Sequence, residues 1–93
     1  MTHKFLVHAK EDDVGVAIED IRAGEAVEGV FLDDESTVTV KAIQDIPLGH
    51  KIALTSLAEG AAVKEYGELI GKVVATIKPG EHVHVHNLKS ARW

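Results

Sequence analysis

The chain has 93 residues, 45% hydrophobic and 27% charged, with no cysteine and a formal charge of −5. That length predicts one small domain over residues 1–93, large enough to fold alone but with little room for a deep catalytic cavity, so a partner is expected to complete any active site. The missing cysteines exclude disulfide frameworks, thiol catalysis, iron–sulfur clusters and thiolate zinc sites, and they suit a reducing, cytoplasmic setting.

The N-terminal segment carries only a three-residue apolar run, Phe5-Leu-Val7, before Lys10-Glu-Asp-Asp13, and no window approaches a membrane span. Neither a leader nor a membrane partner is expected. Residues 1–45 hold 11 acidic and 4 basic side chains, whereas 46–93 hold 4 acidic and 6 basic, so an anionic ligand should favour the second half. An acidic chain without basic clusters makes a poor nucleic-acid binder.

Twelve Val and seven Ile against two Phe, one Tyr and one Trp lean towards strands. In chain order, strands are predicted at 4–9, 14–18, 26–33, 36–42, 50–54, 62–66 and 81–86. Val38, Val40 and Ala42 alternate with Thr37, Thr39 and Lys41, the pattern of a half-buried strand. The best helical spacing is at 69–76 (Leu69, Ile70, Val73, Val74, then Ile77), interrupted by Gly71. The fold class is therefore mostly β: a folded-over sheet of short strands with at most one short helix.

A pattern of aliphatic residue, glycine three on and aliphatic residue three further recurs as Ile21/Gly24/Val27, Ile46/Gly49/Ile52, Leu57/Gly60/Val63 and Ile77/Gly80/Val83. It predicts four tight turns with a positive-φ glycine, each anchored into a shared core. The irregular spacing of the copies argues against a solenoid.

His82-Val-His-Val-His86 is the most informative segment. On a strand, His82, His84 and His86 would share one face while Val83 and Val85 point to the core. Three uses stay open: a divalent metal held by two of them, His82 and His84, with nitrogen–oxygen donors suited to iron(II), zinc or manganese; contact with an anionic substrate in a shared active site; or plain solvent exposure. His50 follows Gly49 much as His82 follows Gly80, and joins the cluster if the two turns are neighbours. His3 and His8 read as structural, Asp12 and Asp13 as turn residues or an acid pair, and Tyr66 as core or a substrate contact. Phosphate loops, dinucleotide fingerprints and nucleophile elbows are absent from the sequence.

Asp13-Val-Gly-Val-Ala17, Asp20-Ile-Arg-Ala-Gly24, Ile46-Pro-Leu-Gly-His-Lys-Ile-Ala-Leu54, Tyr66-Gly-Glu-Leu-Ile-Gly71 and Gly80-Glu-His-Val-His-Val-His-Asn87, in that order, resemble the SAF-type domain that begins altronate and galactarate dehydratases. The resemblance spans about residues 5–88 and implies a β-clip fold. Because those dehydratases continue into a large catalytic region and this chain stops at Trp93, it implies a small (alpha) subunit working with a large catalytic (beta) subunit. The implied activity is a lyase acting on a small anionic hydroxy acid, with sulfolactate cleaved to pyruvate and sulfite as the leading reading. A sugar-acid dehydratase subunit is the competitor, and a carbohydrate-binding or assembly module the non-enzymatic one. The implied cofactor is iron(II) or another divalent metal, held mainly by the large subunit. His82, His84, His86, His50 and Asn87 are the residues expected to face that shared site. A homo-oligomer is also compatible.

Overall fold

The computed structural model describes residues 3–65, 68–84 and 86–90. Among the described residues nine short strands form two sheets: β1 (Phe5–Val7), β2 (Val14–Ala17), β3 (Ala26–Phe31), β4 (Thr37–Lys41), β5 (Lys51–Ala53), β6 (Ala62–Glu65), β7 (Glu68–Val73), β8 (His82–Val83) and β9 (Leu88–Ser90). Six of them run in the order β4-β3-β1-β2-β5-β8 and three in the order β6-β7-β9. Among the described residues, only β1 and β3 pair in parallel. Among the described residues there is no helix, and so none long and apolar enough to cross a membrane.

The four-copy repeat organises everything else. Gly24, Gly49, Gly60 and Gly80 have φ of 90, 87, 91 and 85°, and each sits third in a turn closed by a backbone bond: Glu25 N to Arg22 O, His50 N to Pro47 O, Ala61 N to Ala58 O and Glu81 N to Lys78 O. Positive φ at that position defines a type II turn, which glycine alone enters without steric cost. The turns associate in two pairs. Ile21 and Ile46 form an antiparallel bridge, as do Leu57 and Ile77. Each turn glycine then donates its N–H to a residue just ahead of its partner's anchor: Gly24 to Ala42, Gly49 to Ala17, Gly60 to Val73 and Gly80 to Ala53.

In the first pair the acids preceding the anchors add reciprocal caps. Asp20 Oδ1 accepts from Leu48 N at 2.9 Å and Asp45 Oδ1 from Ala23 N at 2.8 Å. The anchors bury almost completely, with Ile21, Ile46 and Ile77 at 0–1% exposure, a contribution of about 1.5–3 kcal/mol per side chain.

The two turn pairs correspond to two cores. Phe5, Val7, Ile21, Val27, Ile46 and Ile52 lie in one; Val14, Ala53, Leu57, Val63, Ile77 and Val83 lie in the other. Asp13 joins the sheets: its N–H donates to Lys64 O at 3.0 Å and its Oδ2 accepts from Lys64 N at 2.9 Å. Asp12 Oδ2 accepts from Ala9 N at the preceding turn. Both acids therefore serve chain geometry. His3 faces Glu28, Nδ1 to Oε1 at 3.2 Å.

Two sequence expectations need correction. The segment 69–76 is not helical: residues 68–73 are strand β7, pairing with β6 on one side and β9 on the other. The helical spacing was coincidental, because Ile77 belongs to a turn anchor rather than to the same element. Gly71 is there because a Cβ would strike the Lys89 carbonyl of β9, and glycines with β-branched neighbours disfavour a helix in any case. The strand at 81–86 is also shorter than expected and stops at Val83. There His84 O accepts from both Asn87 N (3.1 Å) and Leu88 N (2.9 Å), folding the chain into a turn that launches β9, a strand the sequence did not suggest. Tyr66 and Val85 lie outside the described residues.

Candidate functional site

β8 is the outer strand of the six-stranded sheet and pairs, among the described residues, with β5 through Lys51↔Val83 and Ile52↔His82. That pairing sets the second and fourth turns side by side, so His50 and His82 meet. His50 Nδ1 lies 2.9 Å from His82 Nε2. His84 completes a triangle, its ring centroid 4.7 Å from that of His50 and 5.5 Å from that of His82, stacked on the latter at 9°. One ligand nitrogen from each of the three rings falls within 4.8 Å of the others. His86 stands at the edge, 5.5 Å from His82 between centroids and tilted by 44°.

The cluster does not arise from strand alternation alone. His82 is on β8, His84 and His86 are in the bend and turn that follow, and His50 comes from another turn. Folding back at His84 keeps the rings within reach, where an extended strand would place alternate residues roughly 6.6 Å apart along one face.

Asn87 builds this bend. Its side chain is 1% exposed, its Oδ1 accepts from His84 N at 2.9 Å, and its Nδ2 donates to His82 O at 2.8 Å and Glu81 Oε2 at 3.1 Å. All of these bonds hold the histidine segment, so the structure makes Asn87 a positioning residue. Asn87→Ala is expected to lower stability by about 2–3 kcal/mol, since buried backbone groups lose partners. A urea melt of the free chain reads it, and an unchanged midpoint would refute the role.

Gln44 is a second positioning residue, one the sequence did not flag. Its Oε1 accepts from His82 N at 2.8 Å, taking up an amide left over at the sheet edge. No spacing rule connects Gln44 to the histidines; only the folded path does.

Burial lowers the His82 pKa from its ordinary 6.5, and the nearby rings of His50, His86 and His84 lower it further. The 2.9 Å contact with His50 agrees, because two imidazolium ions would set donor against donor there. A neutral imidazole with a free lone pair is the form that binds a cation or accepts a proton.

The family model for the altronate/galactarate dehydratase SAF domain matches residues 3–91. The (2R)-sulfolactate sulfo-lyase subunit alpha of Chromohalobacter salexigens is 44% identical, with all of both chains covered. The protein of the same name from Paracoccus pantotrophus is 47% identical over 69% of this chain and 96% of its own. The altronate dehydratase of Escherichia coli is 44% identical over 90% of this chain, a segment that makes up 16% of that enzyme. The chain thus belongs to the altronate/galactarate dehydratase SAF domain family.

Proposed function

We propose that this chain is the small subunit of a cytoplasmic, metal-dependent lyase that cleaves (2R)-sulfolactate to pyruvate and sulfite, and that a large subunit supplies most of the active site. The observation that carries the reading is the 44% identity to a sulfo-lyase subunit alpha with nothing left over on either chain. A sugar-acid dehydratase subunit is the second reading, favoured by 44% identity to altronate dehydratase.

Both reactions remove the proton from the carbon that bears the carboxylate and hydroxyl while a substituent leaves the neighbouring carbon. From sulfolactate, sulfite departs with the C–S bonding pair and the resulting enol becomes pyruvate. A divalent metal such as iron(II) would supply Lewis-acid stabilisation of the charge that develops beside the carboxylate.

The donor set fits such an ion. Three imidazoles converge, one of them kept neutral by burial, and nitrogen donors suit first-row divalent metals. In this reading His82 and His84, with His50, contribute nitrogens towards the metal or the substrate's anionic groups. His86, exposed at the edge, faces the substrate side. Asn87 and Gln44 keep the rings in place.

The test is an assay of the assembled pair under anaerobic conditions with added iron(II), using sulfolactate and altronate in parallel. Sulfite and pyruvate release from sulfolactate supports the reading. Turnover of altronate without sulfolactate cleavage would replace it with the dehydratase alternative.

A further inference from the structure

β4 ends the six-stranded sheet opposite β8, and among the described residues β3 is the strand that pairs with it. In an antiparallel pair, successive residues turn their backbone groups alternately towards the partner and away from it. At the two ends of this pair Phe31 N donates to Ser36 O and Ala42 N to Glu25 O, each at 2.8 Å. The same alternation runs between them, so Val38 and Val40 bond to β3 while Thr37, Thr39 and Lys41 direct their N–H and C=O groups to the free edge. Ile43 continues this outward series and finds a partner, its N–H donating to Gly80 O at 3.0 Å. The seam is thus closed at one point and open beyond it. Pro79, which has no N–H to give, stands on the far wall of the open part.

That open part is a groove of about 500 Å³, room for a short run of extended chain. Val38, Val40 and Leu54 give it an apolar lining, and Ile43 stands beside them at 46% exposure. Lys41 and Lys78, both exposed, complete its walls. Among the described residues neither ammonium pairs with a carboxylate. The carboxylate of Glu81 accepts instead from the backbone N of Lys78 and from Asn87 Nδ2.

We infer that the free edge of β4 takes up an extended segment of the large subunit as an added strand, with apolar side chains on Val38, Ile43 and Leu54 and a carboxylate facing Lys41 and Lys78. The inference rests on the small-subunit reading. Main-chain bonds to Thr37, Thr39 and Lys41 supply affinity, and the side chains of the groove set register and choice of partner. Charge complementarity selects an acidic strand. Lysine on a sheet edge discourages unwanted pairing, so a basic strand is repelled where an acidic one is admitted. A second copy fits less well, because its own edge strand, Thr37–Lys41, brings lysine and no carboxylate. The seam also leads to the histidines. Gly80 lies two residues before His82, and Gln44, next to Ile43, accepts from His82 N. A subunit docked at the triangle is therefore already beside the open edge.

The experiment titrates purified large subunit against the wild-type chain, Thr39→Pro, the Lys41→Glu/Lys78→Glu double variant and Lys72→Glu, and follows amide hydrogen exchange over β4 in the free chain and in the complex. Proline at 39 removes a donor aimed away from β3, so the β3–β4 ladder keeps its bonds while an incoming strand loses one. The double variant alters exposed side chains and keeps the test decisive if proline perturbs the fold. Expected are a rise of roughly tenfold or more in Kd for both, unchanged binding by Lys72→Glu on the other sheet, and slower exchange at Thr37 and Thr39 in the complex. Either variant binding within about twofold of wild type, or exchange over β4 that the large subunit leaves unchanged, would overturn the inference while leaving the small-subunit reading intact. So would self-association of the free chain that Thr39→Pro abolishes, since a second copy would then hold the edge. No binding by the wild-type chain would overturn that reading and the inference together.

Discussion

His82→Ala is expected to lower kcat/KM of the assembled enzyme by about a hundredfold or more, His84→Ala by a similar factor, and His3→Ala by less than about twofold. The contrast follows from position. His82 and His84 both belong to the triangle of rings with His50, whereas His3 pairs with Glu28 at a distant strand end. Equal effects at His3 and His84 would mean that the cluster is ordinary wet surface. A second readout needs no partner subunit. Because burial and neighbouring rings lower the folded-state pKa of His82, the unfolded chain takes up a proton first as pH falls below 6.5. The stability contributed by the neutral ring is fully present above 6.5 and is lost as pH falls through the folded value. The melting temperature of wild type should therefore fall more steeply on mild acidification than that of His82→Ala. Parallel curves would contradict a partly buried, neutral His82.

Gly80→Ala should be the most damaging glycine substitution in the repeat, costing about 3 kcal/mol or more, while Gly24→Ala should cost about 1–2 kcal/mol. Both glycines have φ near +90°, so an alanine at either carries the left-handed penalty. The surroundings differ. A Cβ at Gly24 meets nothing within 4 Å, but one at Gly80 runs into the carbonyl of Lys41. There the end of β4 closes on the approach to β8, with Ile43 N bonded to Gly80 O at 3.0 Å. Relief requires that closure to open, and since β8 carries His82, the variant should lose activity beyond its loss of stability. Denaturant midpoints of the two variants make the comparison. Equal losses would show that the sheet ends are not tightly closed.

Local rules made the turns legible. Glycine three residues after an aliphatic anchor has one economical explanation, a type II turn, and all four copies form it. Alternation likewise placed the Val38/Val40 strand. Pairing across the chain was much harder to read. Nothing local says that Ile21 bridges Ile46 or that Leu57 bridges Ile77, although the shared motif hinted that the copies belong together. The site shows the same division. His82, His84 and His86 stood out by spacing, and the matching turn contexts made His50 a candidate. Gln44, which reaches His82 across 38 residues, left no sequence trace. Asn87 was grouped with the histidines as a site residue, but its buried amide braces the backbone, a role visible only once the bend at His84 is formed. The error at 69–76 came from reading a turn anchor and a strand as one periodic element.

The central claim is that this small domain contributes its histidine triangle to an active site it shares with a large subunit. The most direct measurement is sulfite release from sulfolactate by purified large subunit, alone and after addition of this chain. Negligible release alone, full release with the wild-type chain, and little recovery with a folded His82→Ala chain that still binds the large subunit are the predicted results. Full activity of the large subunit without this chain would contradict the claim.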